Sequence, residues 1–308
     1  EVNAFSVTSY HLNSSGLLQP CSQNTSACGW SGSVQEFNQD AQRASRGSLT
    51  AIPLVFNNAG SMVSNFRSMV DLGLQSEATA FLVSEALQYE YETVSLDLEP
   101  SCWQDSASLC DFPTTGDVRQ FHDWIDGLAV ALHEEGRKLT VAAGGYPVSQ
   151  CDGGEAQYRL CTEDYASQCA RDALNVSTCN CCAFTTWFEP SSLCRTRADR
   201  IVNMDTYMHA PFDETLFHGA MDWYLGAGCT PDRLAAGLLS SEAQSDDDAH
   251  RMFAAIEQSG VPEIDIWVNF WGNSTAVDLW RSGAVKFLDG GRSGSTSSTE
   301  GVERREPR

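Results

Sequence analysis

Hydrophobic and polar positions along the chain follow two different periods. Seven short apolar segments have the length and composition of buried strands, and longer segments between them repeat apolar residues at helical spacing. The predicted strands are 2–9, 49–56, 94–99, 138–144, 200–207, 233–240 and 264–271. The predicted helices are 34–46, 61–74, 77–90, 117–136, 213–226, 246–258 and 275–287. Regular succession of strand and helix predicts an α/β fold with a parallel sheet and helical crossovers.

The fold predicted from this succession is a (β/α)8 TIM barrel covering 1–288. Seven strands are apparent where the barrel needs eight, so we expect the remaining strand before Glu1 or within 10–33. Without a Cys-rich insertion at 148–196 and a disordered, polar linker or tail at 289–308, about 240 residues remain, near the usual ~250. A doubly wound open sheet is the alternative, but no G-x-G-x-x-G turn follows the early strands.

Composition narrows the class of protein. The 308 residues are 42% hydrophobic and carry a formal charge of −22, which is typical of a globular chain with a large core. Because the basic residues are scattered and only Lys138 and Lys286 are lysines, no nucleic-acid partner is expected. No run of 18 apolar residues occurs, so no membrane span is expected either.

The cysteines indicate an oxidising compartment. There are twelve, an even number, and close spacing of Cys179, Cys181, Cys182 and Cys194 raises a metal site as the rival interpretation. No paired histidines accompany them, so we predict disulfides of open connectivity, with no metal and no cofactor. The N-glycosylation pattern occurs at Asn13, Asn24, Asn175 and Asn273. Together these features predict a secreted, disulfide-bonded glycoprotein.

Three predicted strands carry a polar face near their carboxyl ends. A barrel strand should be apolar beneath the helices, and packing alone does not explain polar residues on the inner face. The polar faces comprise Ser95, Asp97 and Glu99 in the first strand, Asn203, Asp205 and Tyr207 in the second, and Asp265, Trp267, Asn269 and Trp271 in the third. This pattern predicts a pocket lined by carboxylates, a phenol and indoles.

The sharpest element is the pair Asp97 and Glu99, whose side chains lie on one strand face about 6.6 Å apart. Two carboxylates this close cannot both ionise freely, so one pKa should rise and create a general acid. Glu99, at the strand end, is the better placed donor. The two lie side by side and do not flank a bond, which favours a substrate that supplies its own nucleophile. An N-acetyl group can do so, with Asp97 orienting the amide and Glu99 protonating the leaving oxygen.

The run Glu92-Thr-Val-Ser95-Leu-Asp97-Leu-Glu99 resembles the Asp-x-x-Asp-x-Asp-x-Glu strand of glycoside hydrolase family 18, which contains chitinases and endo-β-N-acetylglucosaminidases. The last two acidic positions match, the first is Glu, and Ser95 stands at the remaining one. Met204-Asp205-Thr206-Tyr207 is similar to the family's Met-x-Tyr-Asp with altered order. The family's Ser-x-Gly-Gly is absent, and Phe56-Asn-Asn-Ala-Gly60 stands in its place.

The resemblance implies roles for residues of the later strands. Tyr207 would hydrogen-bond the acetamido group, Asp205 would line the same subsite, and Trp267, with Trp271 as second choice, would form the sugar-binding floor. We add Asn203 and Asn269 as substrate-binding residues because they share the polar faces.

The function predicted is therefore retaining hydrolysis of β-linked N-acetylglucosamine glycans, with Glu99, Asp97 and Tyr207 as catalytic residues. A carbohydrate-binding barrel without catalysis is one alternative, which Ser95 and the altered order of residues in Met204-Asp205-Thr206-Tyr207 favour. A family 25-like muramidase is another, since that family also uses an Asp-x-Glu strand end.

Overall fold

The computed structural model describes residues 4–21, 34–44, 50–57, 62–100, 112–144, 167–169, 176–206, 212–239 and 245–267. Its strands are β1 (Ala4–Leu12), β2 (Leu18–Pro20), β3 (Thr50–Asn57), β4 (Thr93–Leu98), β5 (Lys138–Ala143), β6 (Arg200–Asn203), β7 (Leu234–Leu239) and β8 (Glu263–Trp267). Its helices are α1 (Val34–Ala44), α2 (Met62–Asp71), α3 (Gln75–Gln88), α4 (Thr115–Glu134), α5 (Val176–Trp187), α6 (Pro190–Leu193), α7 (Glu214–Gly226) and α8 (Asp246–Ser259). None of these helices is both long and apolar enough to cross a bilayer.

The strands form one sheet in the order β2-β1-β3-β4-β5-β6-β7-β8. β1 pairs in parallel with β3, and each strand from β3 to β7 pairs in parallel with the next one along the chain. A doubly wound sheet reverses its strand order at a switch point, and this sheet has no such reversal among the described strands. The fold is thus the predicted α/β architecture of the TIM-barrel type.

The stretch 10–33 does contain a strand, but it is not an eighth parallel one. β2 pairs antiparallel with β1, with Tyr10 opposite Pro20. A parallel neighbour needs a crossover of a dozen or more residues, and a tight turn alone separates β1 from β2. Asn13 organises that turn, because its Oδ1 accepts hydrogen bonds from the backbone N–H groups of Ser15 and Leu17. The described residues therefore contain seven parallel strands and a short hairpin strand.

Two apolar clusters distinguish the outer from the inner face of the sheet. The large cluster joins alternate strand residues, such as Leu96 and Val141, to helix residues such as Leu128 on α4. The small cluster comprises residues of intervening positions, namely Ala142, Val202, Met204 and Ala235. Because side chains alternate along a strand, the small cluster lies on the inner face, away from the helices.

The sixth strand is shorter than its hydrophobic pattern predicts. β6 ends at Asn203, and residues Met204–Thr206 form a turn of 3₁₀ helix. At this point, hydrogen bonds of side chains take the place of backbone hydrogen bonds between strands. The Asp205 N–H donates to Asn203 Oδ1, and the Thr206 hydroxyl lies 2.6 Å from the carbonyl oxygens of Asn203 and Gly237. Such local bonds compete with extended structure, and alternation therefore fails beyond Asn203.

Part of the predicted Cys-rich insertion belongs to the barrel. Helix α5 connects β5 to β6, and Trp187 and Phe188 are buried in the large cluster. Residues 176–196 therefore supply the crossover helix of this βα unit. Residues 148–166 and the tail 289–308 lie outside the described residues.

Every cysteine in the described part of the chain is disulfide-bonded. Cys169 pairs with Cys179 within the Cys-rich segment, and Cys194 pairs with Cys229 at the start of the approach to β7. For these cysteines, disulfides are confirmed over the zinc alternative.

Arg233 reinforces the amino-terminal edge of the sheet beside the Cys194–Cys229 bond. Its guanidinium donates to the carbonyl oxygens of Cys194, Thr196 and Ala198 at 2.7–3.2 Å. Stabilising residues are expected at this end, because TIM barrels place their active sites at the opposite one.

We expect Arg233→Met to lower the free energy of unfolding by about 2–4 kcal/mol, because it leaves several carbonyl groups without a donor. Urea unfolding monitored by tryptophan fluorescence would measure the change. The matched control is Arg43→Met, which removes an exposed pair with Asp40 and should cost no more than about 1 kcal/mol. Equal effects of the two substitutions would contradict the role of Arg233.

Candidate active site

Asp97 and Glu99 lie together where β4 reaches the carboxyl end of the sheet. Leu96 and Leu98 pack outward into the large core, so the two carboxyl groups face the barrel interior. Asp97 is 4% exposed, and Glu99 is half-buried just beyond the strand. The Glu99 N–H still pairs with β3, donating to the Asn57 carbonyl oxygen at 2.8 Å. The pair therefore occupies the face at which TIM-barrel enzymes carry out their chemistry.

The two carboxyl groups are joined by a hydrogen bond, and the pKa of each depends on the other. Burial raises the pKa of Asp97 to about 7; its hydrogen bond with Glu99 lowers that pKa, and the charge of Asp265 raises it. Burial, the Asp97 charge and the same hydrogen bond raise the pKa of Glu99 well above its ordinary range. Burial and the shared hydrogen bond therefore raise the pKa of the pair, so that the two groups resist losing their last proton as the pH rises. The roles of Glu99 as acid and Asp97 as acceptor stay predictions.

One oxygen of this pair lacks a hydrogen-bond donor. Asp97 Oδ1 is buried and has no hydrogen-bond partner among the described residues. A buried carboxylate oxygen without a donor is costly, and such an atom in a polar interior marks a place for a donor from outside the chain. An amide N–H of a bound molecule would satisfy it.

Asp265 is a third carboxylate of the inner face, where the alternation of its strand predicts it. Its neighbours Ile264 and Ile266 pack against the large core, which turns Asp265 to the inner face. Its side chain is solvent-exposed, yet enough protein surrounds it for desolvation, and secondarily Glu263, to raise its pKa. The polar pattern predicts Asp265 in the pocket lining but gives it no catalytic or binding role.

Asp205 lies against the end of β5. Gly144 follows that strand with φ of +82°, and a Cβ built there would lie 2.6 Å from Asp205 Cγ and Oδ2. Burial, and then the charge of the same carboxylate, raise the pKa of the Tyr224 phenol on α7. The backbone of Gly144 therefore forms one wall of the Asp205 position, and a glycine is required there.

Asn203 does not line the interior, and its assignment as a substrate-binding residue is corrected. Its side chain is fully buried, and Nδ2 donates to the Ala220 carbonyl oxygen on α7 at 3.0 Å. Its Oδ1 accepts the Asp205 N–H at 3.0 Å. The inner face of β6 is instead occupied by Val202, so the predicted polar face of this strand is reversed.

The remaining predicted site residues fall at the edge of what the structure describes. Tyr207, Asn269 and Trp271 lie outside the described residues. Trp267 is the last residue of β8 and pairs with Leu239, but its side chain lies outside the described part. The roles of these four residues stay predictions.

We expect Gly144→Ala to reduce both stability and function, because the new methyl group would displace the Asp205 carboxylate. The free energy of unfolding should fall by about 2–4 kcal/mol through strain and overpacking. Gly136→Ala is the matched control, since Gly136 has φ of +67° and nothing within 4 Å of the new methyl group. It should cost about 1 kcal/mol from backbone strain alone. Similar losses in both variants, measured by urea unfolding, would contradict a close contact at Asp205.

The fold is similar to that of solved chitinases and of a spore cortex-lytic enzyme. Chitinase from Chromobacterium violaceum matches with a TM-score of 0.59 and 11% sequence identity, over 92% of this chain and 91% of that chain. Ostrinia furnacalis Group IV chitinase, solved in complex with allosamidin, matches with a TM-score of 0.57 and 11% identity over 92% and 91%. The spore cortex-lytic enzyme SleL from Bacillus cereus matches with a TM-score of 0.60 and 9% identity, over 91% of this chain and 67% of that chain.

No protein-family model matches the chain, and no curated protein matches it. At such low identities the structural likeness shows a chitinase-like fold, and the chemistry must be argued from the residues themselves.

Proposed function

We propose that this protein is a secreted glycosidase that hydrolyses β-linked N-acetylglucosamine glycans with retention of configuration. The observation that carries the proposal is the Asp97–Glu99 pair, in which burial raises both pKa values and leaves Asp97 Oδ1 as a buried acceptor. The likeness to chitinase folds supports a glycosidase, and the disulfides support a secretory route.

The first step uses both carboxyl groups and the substrate's own acetamide. Asp97 accepts the acetamide N–H through Oδ1, which turns the amide oxygen toward the anomeric carbon. That oxygen forms a bond to the anomeric carbon as the glycosidic bond breaks, and Glu99 gives its proton to the leaving oxygen. The intermediate is a cyclic oxazolinium ion, and Asp97 stabilises its N–H with a negative charge.

The second step reverses the proton transfer. Glu99, now a carboxylate, takes a proton from water. The water oxygen bonds to the anomeric carbon as the bond between that carbon and the amide oxygen breaks. The acetamide is restored, and two inversions give net retention. Tyr207, Asp205 and the tryptophans of the β8 region would hold the sugar, as the resemblance implies.

The test separates acetamido sugars from all others. The full chain is incubated with N-acetylchitohexaose, with the fully deacetylated hexamer, and with cellohexaose, and the fresh products are followed by proton NMR. We expect cleavage of the acetylated hexamer alone, with the β anomer appearing first. Cleavage of cellohexaose at a similar rate would refute a substrate-supplied nucleophile, and an α anomer as first product would refute retention.

A peptidoglycan substrate is the second candidate, and the likeness to SleL favours it. It uses the same pair of carboxyl groups, since peptidoglycan also carries acetamido sugars. Release of soluble muropeptides from purified sacculi without cleavage of N-acetylchitohexaose would support this candidate. Tight binding of either glycan without turnover would instead support the carbohydrate-binding barrel.

A further inference from the structure

The peptide group that joins Leu98 to Glu99 is held at both of its ends. Its N–H donates to the Asn57 carbonyl oxygen on β3 at 2.8 Å. Its carbonyl oxygen accepts a hydrogen bond from the indole Nε1 of Trp187 on α5, at 3.0 Å. Because the N–H and C=O of one peptide group point in opposite directions, the two partners grip the backbone immediately before the Glu99 Cα.

The Leu98 carbonyl needs this partner because β4 and β5 separate before β4 ends. β4 pairs with β3 as far as Leu98, opposite Asn57, but it pairs with β5 only as far as Leu96, opposite Val141. The Leu98 carbonyl points to the β5 side, where the ladder has stopped. An unpaired buried carbonyl would cost about 1–3 kcal/mol, and the Trp187 indole removes that cost.

The indole is itself fixed in place by its surroundings. Trp187 is completely buried; its ring stacks on Phe121 with 4.2 Å between centroids and meets the edge of Phe66 at 5.5 Å. The Trp187 carbonyl lies 3.1 Å from His122 Nε2, and Ser192 Oγ lies 2.6 Å from His122 Nδ1. Burial lowers the pKa of His122 to about 4, so the ring is neutral; since a carbonyl can only accept, Nε2 carries the proton.

We propose that Trp187 is a positioning residue for Glu99, and that the Cys-rich segment serves the active site by holding this indole in place. The role of the Cys-rich segment follows from the composition of α5. This helix carries Trp187 at its end and the disulfide-bonded Cys179, Cys181 and Cys182 along its length. This inference rests on the proposed function, because it assigns Glu99 the role of acid. Trp187 touches no substrate and acts through one peptide group.

The test removes the indole N–H and keeps the ring. Trp187 is replaced by 3-benzothienylalanine, which has sulfur in place of N–H, and also by Phe. Trp124→Phe is the matched control: Trp124 belongs to the same aromatic cluster, but its indole donates to Thr79 Oγ1. Two readouts are made on the full chain, namely kcat and KM for N-acetylchitohexaose and a ¹³C NMR titration of the Glu99 carboxyl group, assigned by its loss in Glu99→Gln.

We expect the benzothienyl variant to lose kcat by about 10- to 100-fold with KM within about twofold, because the acid is displaced while binding is retained. A freed peptide lets Glu99 move away from Asp97 and toward water, so the pKa of its carboxyl group should fall. The alkaline limb of the rate profile should then move to lower pH, since the acid form is lost earlier. Of the described carboxylates, Asp97 acts on Glu99 directly, and Asp265 acts on Asp97.

The outcomes separate this inference from the proposed function. A benzothienyl variant whose kcat and Glu99 titration match the wild type overturns the role of Trp187, and so does an equal loss in Trp124→Phe. If the wild type hydrolyses no acetamido glycan, the proposed function fails. The titration still decides then whether Trp187 holds Glu99 in place.

Discussion

Glu99→Gln is expected to lower kcat for hydrolysis of N-acetylchitohexaose by about 10²- to 10⁴-fold, the usual contribution of a general acid. Glutamine has nearly the same shape and can still donate to Asp97, so the pocket should keep its form. It cannot transfer a proton to the leaving oxygen. Because ground-state binding does not use that proton, KM should change by less than about threefold. Initial rates from labelled oligomers, with substrate above and below KM, would measure both constants.

The matched control for this substitution is Glu92→Gln. Glu92 precedes β4 and is exposed, at the opposite end of the strand from the pair. It should leave kcat unchanged within about twofold. Equal activity of wild type and Glu99→Gln would remove Glu99 from the mechanism. Loss of binding together with loss of turnover would show that Glu99 is needed for the shape of the pocket instead.

The inner face of β4 could be predicted because its alternation is strict. Val94, Leu96 and Leu98 are large aliphatic residues that must pack beneath helices. Because side chains alternate, Asp97 and Glu99 must then point to the inner face. The raised pKa values follow from that direction alone. Two carboxyl groups turned into a barrel interior lose water and repel each other, whatever the rest of the chain does.

The same rule gave the wrong face for Asn203, and the reason is local. Asn203 is the last residue of β6, and its side chain closes the 3₁₀ turn that follows by accepting the Asp205 N–H. The alternating pattern shows which face of a strand a residue is on, but it does not show where a side-chain hydrogen bond will end the strand. Asp205 and Thr206 therefore took positions that the pattern could not assign.

Trp187 lay beyond prediction for a different reason. Helix α5 has the sequence Val-Ser-Thr-Cys-Asn-Cys-Cys-Ala-Phe-Thr-Thr-Trp, which has no clear amphipathic pattern and looks like part of a Cys-rich loop. The hydrogen bond from its last residue to Leu98 O spans 89 positions of sequence. Such a contact depends on where β4 and β5 separate, which is a property of the assembled sheet.

The double substitution Asp97→Asn with Glu99→Gln is expected to stabilise the fold at neutral pH by about 2–4 kcal/mol, while destroying activity. Both carboxyl groups have a higher pKa in the folded chain than in the unfolded one. Well below pH 4 they are protonated in both states and cost nothing. As the pH rises toward 7, the unfolded chain ionises freely while the folded chain resists, so the wild type loses stability and the variant does not.

Urea unfolding at pH 4, 5.5, 7 and 8 would measure the difference between the variant and the wild type. It should be smallest at pH 4 and grow up to about pH 7, where Asp97 ionises in the fold; any further growth above that pH comes from Glu99. Asp71→Asn with Glu92→Gln is the control, since both acids are exposed, and it should shift stability by no more than about 0.5 kcal/mol at any of these pH values. A difference between variant and wild type that stays constant with pH would mean that Asp97 and Glu99 ionise as readily in the fold as in water, and the buried acid on which hydrolysis depends would not exist.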